Sequence, residues 1–175
     1  MPKRQTQRSR NPAEYPVLGM LASGPAHGYD ICRNLQSELG AVWTLGRSQV
    51  YALLARLERD GLVVHERVGQ ENLPAKNIFS ITRDGHAVFR HWAGTPVVHV
   101  RNMRLEFLTK LWFAQKRDAE SEKSLIAEQL KVCREKERRL ATLSSRCTTQ
   151  TECRSMDFRR TMIEAAISWL ENLLK

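Results

Sequence analysis

Hydrophobic positions along the chain recur first at helical spacing, then at alternate residues, then at helical spacing again. The first apolar run, VLGMLAS, ends at Gly24-Pro25. Ahead of it Asn11-Pro12-Ala13-Glu14 reads as an N-cap, a proline at the first helical position and a capping-box glutamate. Pro16 opposes so early a start, because it falls just beyond the turn whose amides are free, and it draws the expected start toward itself. A second helix is predicted from about His27 to Leu39, with Ile31, Cys32, Leu35 and Leu39 on one face and Gly40 placed to end it. Val50, Leu53, Leu54 and Leu57 mark a third, closed by Asp60-Gly61.

The period then changes. LVVHERV and NIFSI are short β-branched or aromatic runs separated by GQENLPAK, which predicts a hairpin with a long loop. Thr82 is placed to cap a fourth helix carrying Val88, Phe89 and Trp92. Three helices, a hairpin and a helix, in that order, are the elements of a winged helix-turn-helix. Helical spacing resumes with Met103, Phe107, Leu108, Leu111 and Trp112, and continues through a charged stretch with a thin stripe of Ile126, Leu130, Cys133 and Leu140. In the last segment Met156, Ile163 and Leu170 stand seven apart, interleaved with Ile167 and Leu174, a seam of coiled-coil type.

The expected fold is therefore mainly α with a small β-hairpin. Residues 1–10 form a basic flexible arm, 11–95 a winged helix-turn-helix domain and 96–175 an α-helical dimerisation domain. Narrow stripes on long helices bury themselves poorly alone, so Phe107, Leu111, Met156, Ile163, Ile167, Leu170 and Leu174 are expected to hold a homodimer together. The alternative is packing against the chain's own wing domain.

Charge narrows the class of partner. The 175 residues carry 28 Lys plus Arg against 19 Asp plus Glu, a formal net charge of +9. Such a surface attracts polyanions, nucleic acid or anionic membrane. No stretch approaches the roughly 18 apolar residues of a spanning helix. The N-terminus MPKRQTQRSRNP has no apolar core behind it, so neither a membrane anchor nor a secretory leader is expected and the chain reads as cytoplasmic. Cys32, Cys133, Cys147 and Cys153 contain no Cys-x-x-Cys pair and the five histidines are scattered, so no metal site is expected. Cys147 and Cys153 flank a helix connection where a disulfide switch is conceivable, but a reducing cytosol predicts free thiols. Glycine-rich phosphate loops, Gly-x-Ser-x-Gly and His-Glu-x-x-His are all missing, and the expectation is a protein that is not an enzyme and needs no cofactor.

The third helix holds the most specific chemistry. It opens with Arg47, Ser48, Gln49 and Tyr51, more polar groups than a packing helix needs. In a helix-turn-helix these positions enter the major groove of double-stranded DNA. Arg47 and Gln49 are able to make paired bonds to guanine or adenine edges, Ser48 and Tyr51 to donate to phosphates, and Arg56 and Arg59 to extend the positive face. Singly, each has a structural reading: Ser48 as a cap, Tyr51 packed on the wing, Arg56 and Arg59 in solvated pairs with Glu58 or Asp60. As a set beside a hairpin they favour DNA binding. Lys3, Arg4, Arg8 and Arg10 add an arm for phosphate or minor groove, or a solubilising tail.

Three segments carry a resemblance. HGYDI at 27–31, RSQVYALLARLERDGLV at 47–63 and LPAKNIFSITRDGHAVFRHW at 73–92 resemble the signature segments of the PadR family of bacterial transcriptional regulators. MRLEFLTKLWFA at 103–114 is similar, more loosely, to the opening of the helical tail of its longer members. The resemblance implies a homodimeric winged-helix regulator, usually a repressor of genes for stress, detoxification or metabolite transport. It implies that Tyr51 is the family's recognition-helix tyrosine, that Gly28-Tyr29 is its Gly-Tyr pair, and that Lys76 and Asn77 lie where the wing returns. Ala52 departs from the proline that many members carry there. Some members bind drugs or phenolic compounds between subunits, so Trp92, Trp112 and Trp169 are candidates to stack a small aromatic effector, against the commoner use of such residues as core. The expected function is a sequence-specific repressor on a near-palindromic operator. The alternative is a basic protein-interaction module without sequence-specific DNA binding.

Overall fold

A computed structural model describes residues 10–70, 73–144 and 147–175, with residues 70 and 73–76 described by their backbone alone. Lys3, Arg4 and Arg8 of the expected arm lie outside the described residues. The chain divides into two compact units between Trp92 and Ala93.

In the first unit α1 spans Glu14–Ala22. Asn11 supplies the turn before it: its side-chain oxygen accepts from the Ala13 amide at 3.0 Å and its carbonyl from the Glu14 amide at 2.9 Å. Pro16 is the third helical residue, still within the turn whose amides have no helical acceptor, so it does not delay the start. Glu14 is no capping-box residue. Its fully buried carboxylate lies 3.0 Å from Arg10 Nη1 and 2.9 Å from Arg56 Nε, which joins α1 to the third helix. The Arg56 approach is ionic rather than along an N–H, leaving Glu14 Oε1 without an in-line hydrogen bond.

A two-residue strand β1, Ala26–His27, leads into α2, Gly28–Leu39, and α3 covers Arg47–Arg59. Gly61 turns the chain out of α3 at φ +72°, a left-handed conformation that favours glycine. Strands β2, Val63–Gln70, and β3, Leu73–Ile81, continue through most of the segment expected to be loop. They pair antiparallel from Val63 opposite Ile81 to Val68 opposite Lys76, and β1 adds to the far edge of β3 to give the order β1-β3-β2. Thr82 caps α4, Arg83–Gly94, by accepting from the Gly85 amide at 3.0 Å, and its hydroxyl donates to the Gly61 carbonyl at 2.8 Å. One side chain thus fixes both the end of α3 and the start of α4. Leu18, Ile31, Leu54, Leu57, Phe79 and Trp92 are buried in this unit, each worth about 1.5–3 kcal/mol of burial for an aliphatic or Phe.

The second unit opens with a short 3₁₀ turn, Val100–Asn102, and a π-helical turn, Met103–Phe107, before α5, Leu108–Arg117. Two long helices follow, α6, Ala119–Ser144, and α7, Gln150–Leu173. They run antiparallel, with Arg134 reaching Glu171 at 2.8 Å, around a core of Phe107, Ile126, Cys133 and Leu170. Buried polar groups secure the segment ahead of them. Gln129 accepts from the Val97 amide at 2.6 Å and donates to its carbonyl at 2.9 Å. Lys110 donates to the Thr95 carbonyl at 2.8 Å and to Glu106 at 2.7 Å; burial lowers its pKa, against the opposing pull of Glu106.

The cysteines depart from expectation. Cys147 and Cys153 are joined in a disulfide with their Cα atoms 5.4 Å apart, while Cys32 and Cys133 are buried free thiols whose pKa burial raises. The bridge encloses the start of α7, where Thr149 accepts from the Glu152 amide at 3.2 Å and Glu152 accepts from the Thr148 and Thr149 amides at 3.2 Å each. Cys147 precedes α7 and Cys153 lies in its first turn, six positions on, within the Cα separation that a disulfide spans.

Candidate nucleic-acid interface

Two helix N-termini converge in the first unit. The apolar residues Val50, Leu53, Leu54 and Leu57 commit one side of α3 to the core, so Ser48, Ala52, Ala55 and Arg59, spaced by three and four, come to the surface together. Arg47, Gln49 and Tyr51 flank the start of that line. Tyr29, in the first turn of α2, is half exposed, and the Arg47 guanidinium lies 5.0 Å from its ring centroid. The Tyr51 ring lies against Gly28. A Cβ at Gly28 would lie 2.6 Å from Tyr51 Cε1 and 2.8 Å from its hydroxyl oxygen, so glycine is what lets the ring lie there.

The arrangement brings five of the expected residues, Tyr29, Arg47, Ser48, Gln49 and Tyr51, to the openings of α2 and α3. Ser48 is not the cap of α3. That role falls to Gln49, whose Oε1 accepts from the Gly46 amide at 2.8 Å, so a paired bond from Gln49 to adenine requires release of that cap. Arg56 is turned toward α1 and held by Glu14. Its neighbours form other pairs than those expected: Glu58 with His65 of β2, and Asp60 with Arg10 at 3.2 Å. Asn77 is exposed on β3, with its carbonyl 3.3 Å from His27 Nδ1, and the Lys76 side chain lies outside the described residues. Ala55, which the sequence reading did not single out, shares the exposed line of α3 seven residues on from Ser48.

Trp43 packs the turn before α3, half buried beside a cavity of 110 Å³ that Leu35, Gln36 and Thr44 also line. Trp92 stacks on Tyr15 in the first unit, centroids 4.5 Å apart. Trp112 and Trp169 belong to the second unit: Trp112 meets Phe113 edge-on and Lys116 Nζ over its ring at 5.2 Å, and Trp169 meets the buried Phe107 edge-on at 6.0 Å. Of the expected dimer residues, Phe107, Leu111, Ile163 and Leu170 are buried within the chain's own helical unit, Met156 and Ile167 are half buried, and Leu174 is exposed. Among the described residues no helix is long and apolar enough to cross a membrane, and no cluster of His, Cys, Asp or Glu is placed to hold a metal ion.

Residues 17–91, the three helices, wing and fourth helix almost in full, match the family model described as the transcriptional regulator PadR-like family. The negative transcriptional regulator PadR of Bacillus subtilis is 26% identical over 117 residues, 67% of this chain and 64% of that protein. A probable transcriptional regulator of Mycobacterium tuberculosis is 28% identical over 93 residues, 53% of this chain and 49% of that one. The chain thus spans less than two thirds of the length of either curated relative. A crystal structure of Bacillus subtilis PadR in complex with operator DNA has the same fold, with a TM-score of 0.51 at 21% identity, covering 95% of this chain and 98% of that one. It is through residues 17–91 that the chain is similar to the transcriptional regulator PadR-like family.

Proposed function

We propose that this protein is a cytoplasmic, sequence-specific DNA-binding repressor that acts as a homodimer on a near-palindromic operator. The observation that carries the reading is the shared opening of α2 and α3. It exposes a guanidinium, an amide, hydroxyls and a line of small side chains from a helix otherwise committed to the core, beside an antiparallel wing. Such a surface is suited to base edges and phosphates together. A net charge of +9 supports it, as does the relative from Bacillus subtilis, which is described as a negative regulator.

The dimer half of the proposal rests on α7. Ile163 and Leu170 face the chain's own core, yet the helix carries a second apolar line about 120° around its axis: Phe158, Met162, Trp169 and Leu173, all exposed, with Ala165 between them. Phe158 is 68% exposed, a large apolar group with nothing of its own unit over it. The line is self-complementary. A second copy laid antiparallel and centred between Ala165 and Ala166 sets Phe158 opposite Leu173 and Met162 opposite Trp169, with the small residues where two helices cross. Trp112 and Trp169, both partly exposed, are the rings offered to a small aromatic effector.

Selection of bound sequences from random duplex DNA, with wild type and Arg47→Ala side by side, tests the reading. The wild type should enrich a two-fold symmetric site, and Arg47→Ala should relax one base pair in each half by about 1–3 kcal/mol. Absence of any enriched sequence would leave the basic protein-interaction reading in its place.

A further inference from the structure

Arg47 is the first residue of α3, with a long flexible side chain directed off a helix end. Such a group ordinarily samples many rotamers, and ordering it on a base edge costs part of what the contact gains. Here it is not left to itself. Its guanidinium stands over the Tyr29 ring at 5.0 Å, and Tyr29 belongs to the neighbouring helix, in its first turn, with half its surface exposed. The next residue back, Gly28, is the seat of the Tyr51 ring, so the backbone that carries Tyr29 is braced from α3 as well. An Arg plane laid on an aromatic face keeps its outer N–H edge open for paired hydrogen bonds.

We propose that Tyr29 is a specificity-determining positioning residue: its ring holds the Arg47 guanidinium in the pose that reads a guanine edge. The inference rests on the DNA-binding reading and deepens it. The group that matters on Tyr29 is the ring face and not the hydroxyl. Arg47 selects the base through its paired donors to guanine O6 and N7. Tyr29 touches Arg47 and sets how much of that selection survives the loss of rotamer freedom.

The test uses the full chain and duplex oligonucleotides carrying the sequence that wild type enriches, with each base of a half-site varied in turn. Tyr29→Leu should lower discrimination at the Arg47 base pair by about two- to fivefold, the range of an exposed cation–π contact, and leave the other positions unchanged. Tyr29→Phe, which keeps the ring, should retain the discrimination. In Arg47→Ala the further change Tyr29→Leu should alter that position no more, because the partner it acts through is gone. Thermal unfolding of each variant separates these effects from loss of fold. Equal losses in Tyr29→Phe and Tyr29→Leu on every sequence, or additive effects of Tyr29→Leu and Arg47→Ala, would overturn the proposal. A preference profile that Arg47→Ala leaves unchanged instead removes the reading on which it rests.

Discussion

Gly28 shows how much one missing methyl group decides. Its replacement by alanine adds a Cβ where the Tyr51 ring already lies, and the ring atoms it meets are the far end of a side chain able to swing away. Alanine also suits a helix better than glycine by roughly 0.5–1 kcal/mol. Gly28→Ala should therefore leave thermal stability within about 1 kcal/mol of wild type, while displacement of Tyr51 lowers affinity for the selected DNA by about tenfold. Unfolding scans and a binding titration on the same preparation check both halves. Individual residues are also where the sequence was least legible. Arg56 and Gln49 have the chemistry of DNA-reading groups, but a buried Glu14 claims the one and the Gly46 amide the other. Glu14 lies 42 positions from Arg56, where only tertiary packing puts it, whereas Gly46 is three residues before Gln49, at a cap that the sequence does not announce because its own residue has no side chain to offer.

At the scale of elements the periodicity was informative, and its failures have physical causes. The helix spacings placed α2, α3 and α4 within a residue or two, and Thr82 caps as its position suggests. The hairpin is longer than its β-branched runs, because backbone pairing carries Lys76 into register with Val68 and Gln70 with Leu73 whatever side chains the loop segment carries. β1 is two residues long and pairs with Ile78 and Phe79, more than fifty positions on, so no local pattern announces it. The start of α7 has a pH dependence built into it. Hydrogen bonds from Thr148 and Thr149 hold the Glu152 carboxyl below its ordinary pKa. Its contribution to the helix start is therefore complete above that ordinary value and is lost as pH falls through the depressed folded value. Protection of the Thr148 and Thr149 amides, taken relative to their intrinsic exchange rate at each pH, should hold through the usual carboxylate range and fall only below it, and Glu152→Gln should remove the dependence.

For the whole molecule, the distinction that matters is between the two apolar faces of α7. A seven-residue repeat picked out Ile163 and Leu170 as the seam between copies. Helical spacing shows that a face is apolar but not which surface covers it, and here α6 of the same chain covers this one. Ile163→Asp or Leu170→Asp buries a charge without a partner and should cost about 4 kcal/mol or more, unfolding the helical unit instead of separating two folded copies. Phe158→Asp with Met162→Asp touches only exposed positions. That pair should give folded monomers by light scattering and unaltered circular dichroism, with binding to the symmetric site largely lost and weak nonspecific binding retained. A doubly substituted protein still dimeric at the same concentration would place the pairing surface elsewhere.

The exposed line on α7 extends from Phe158 to Leu173, about 22 Å of helix at 1.5 Å per residue. So short a line favours a pairing that dissociates as the chain becomes scarce. Where pairing and DNA binding are linked, occupancy of a two-fold site at low abundance follows the square of the free chain concentration. Halving the gene dosage then leaves about a quarter of the occupancy, so the control region responds more steeply to the amount of regulator than a single reading head would allow.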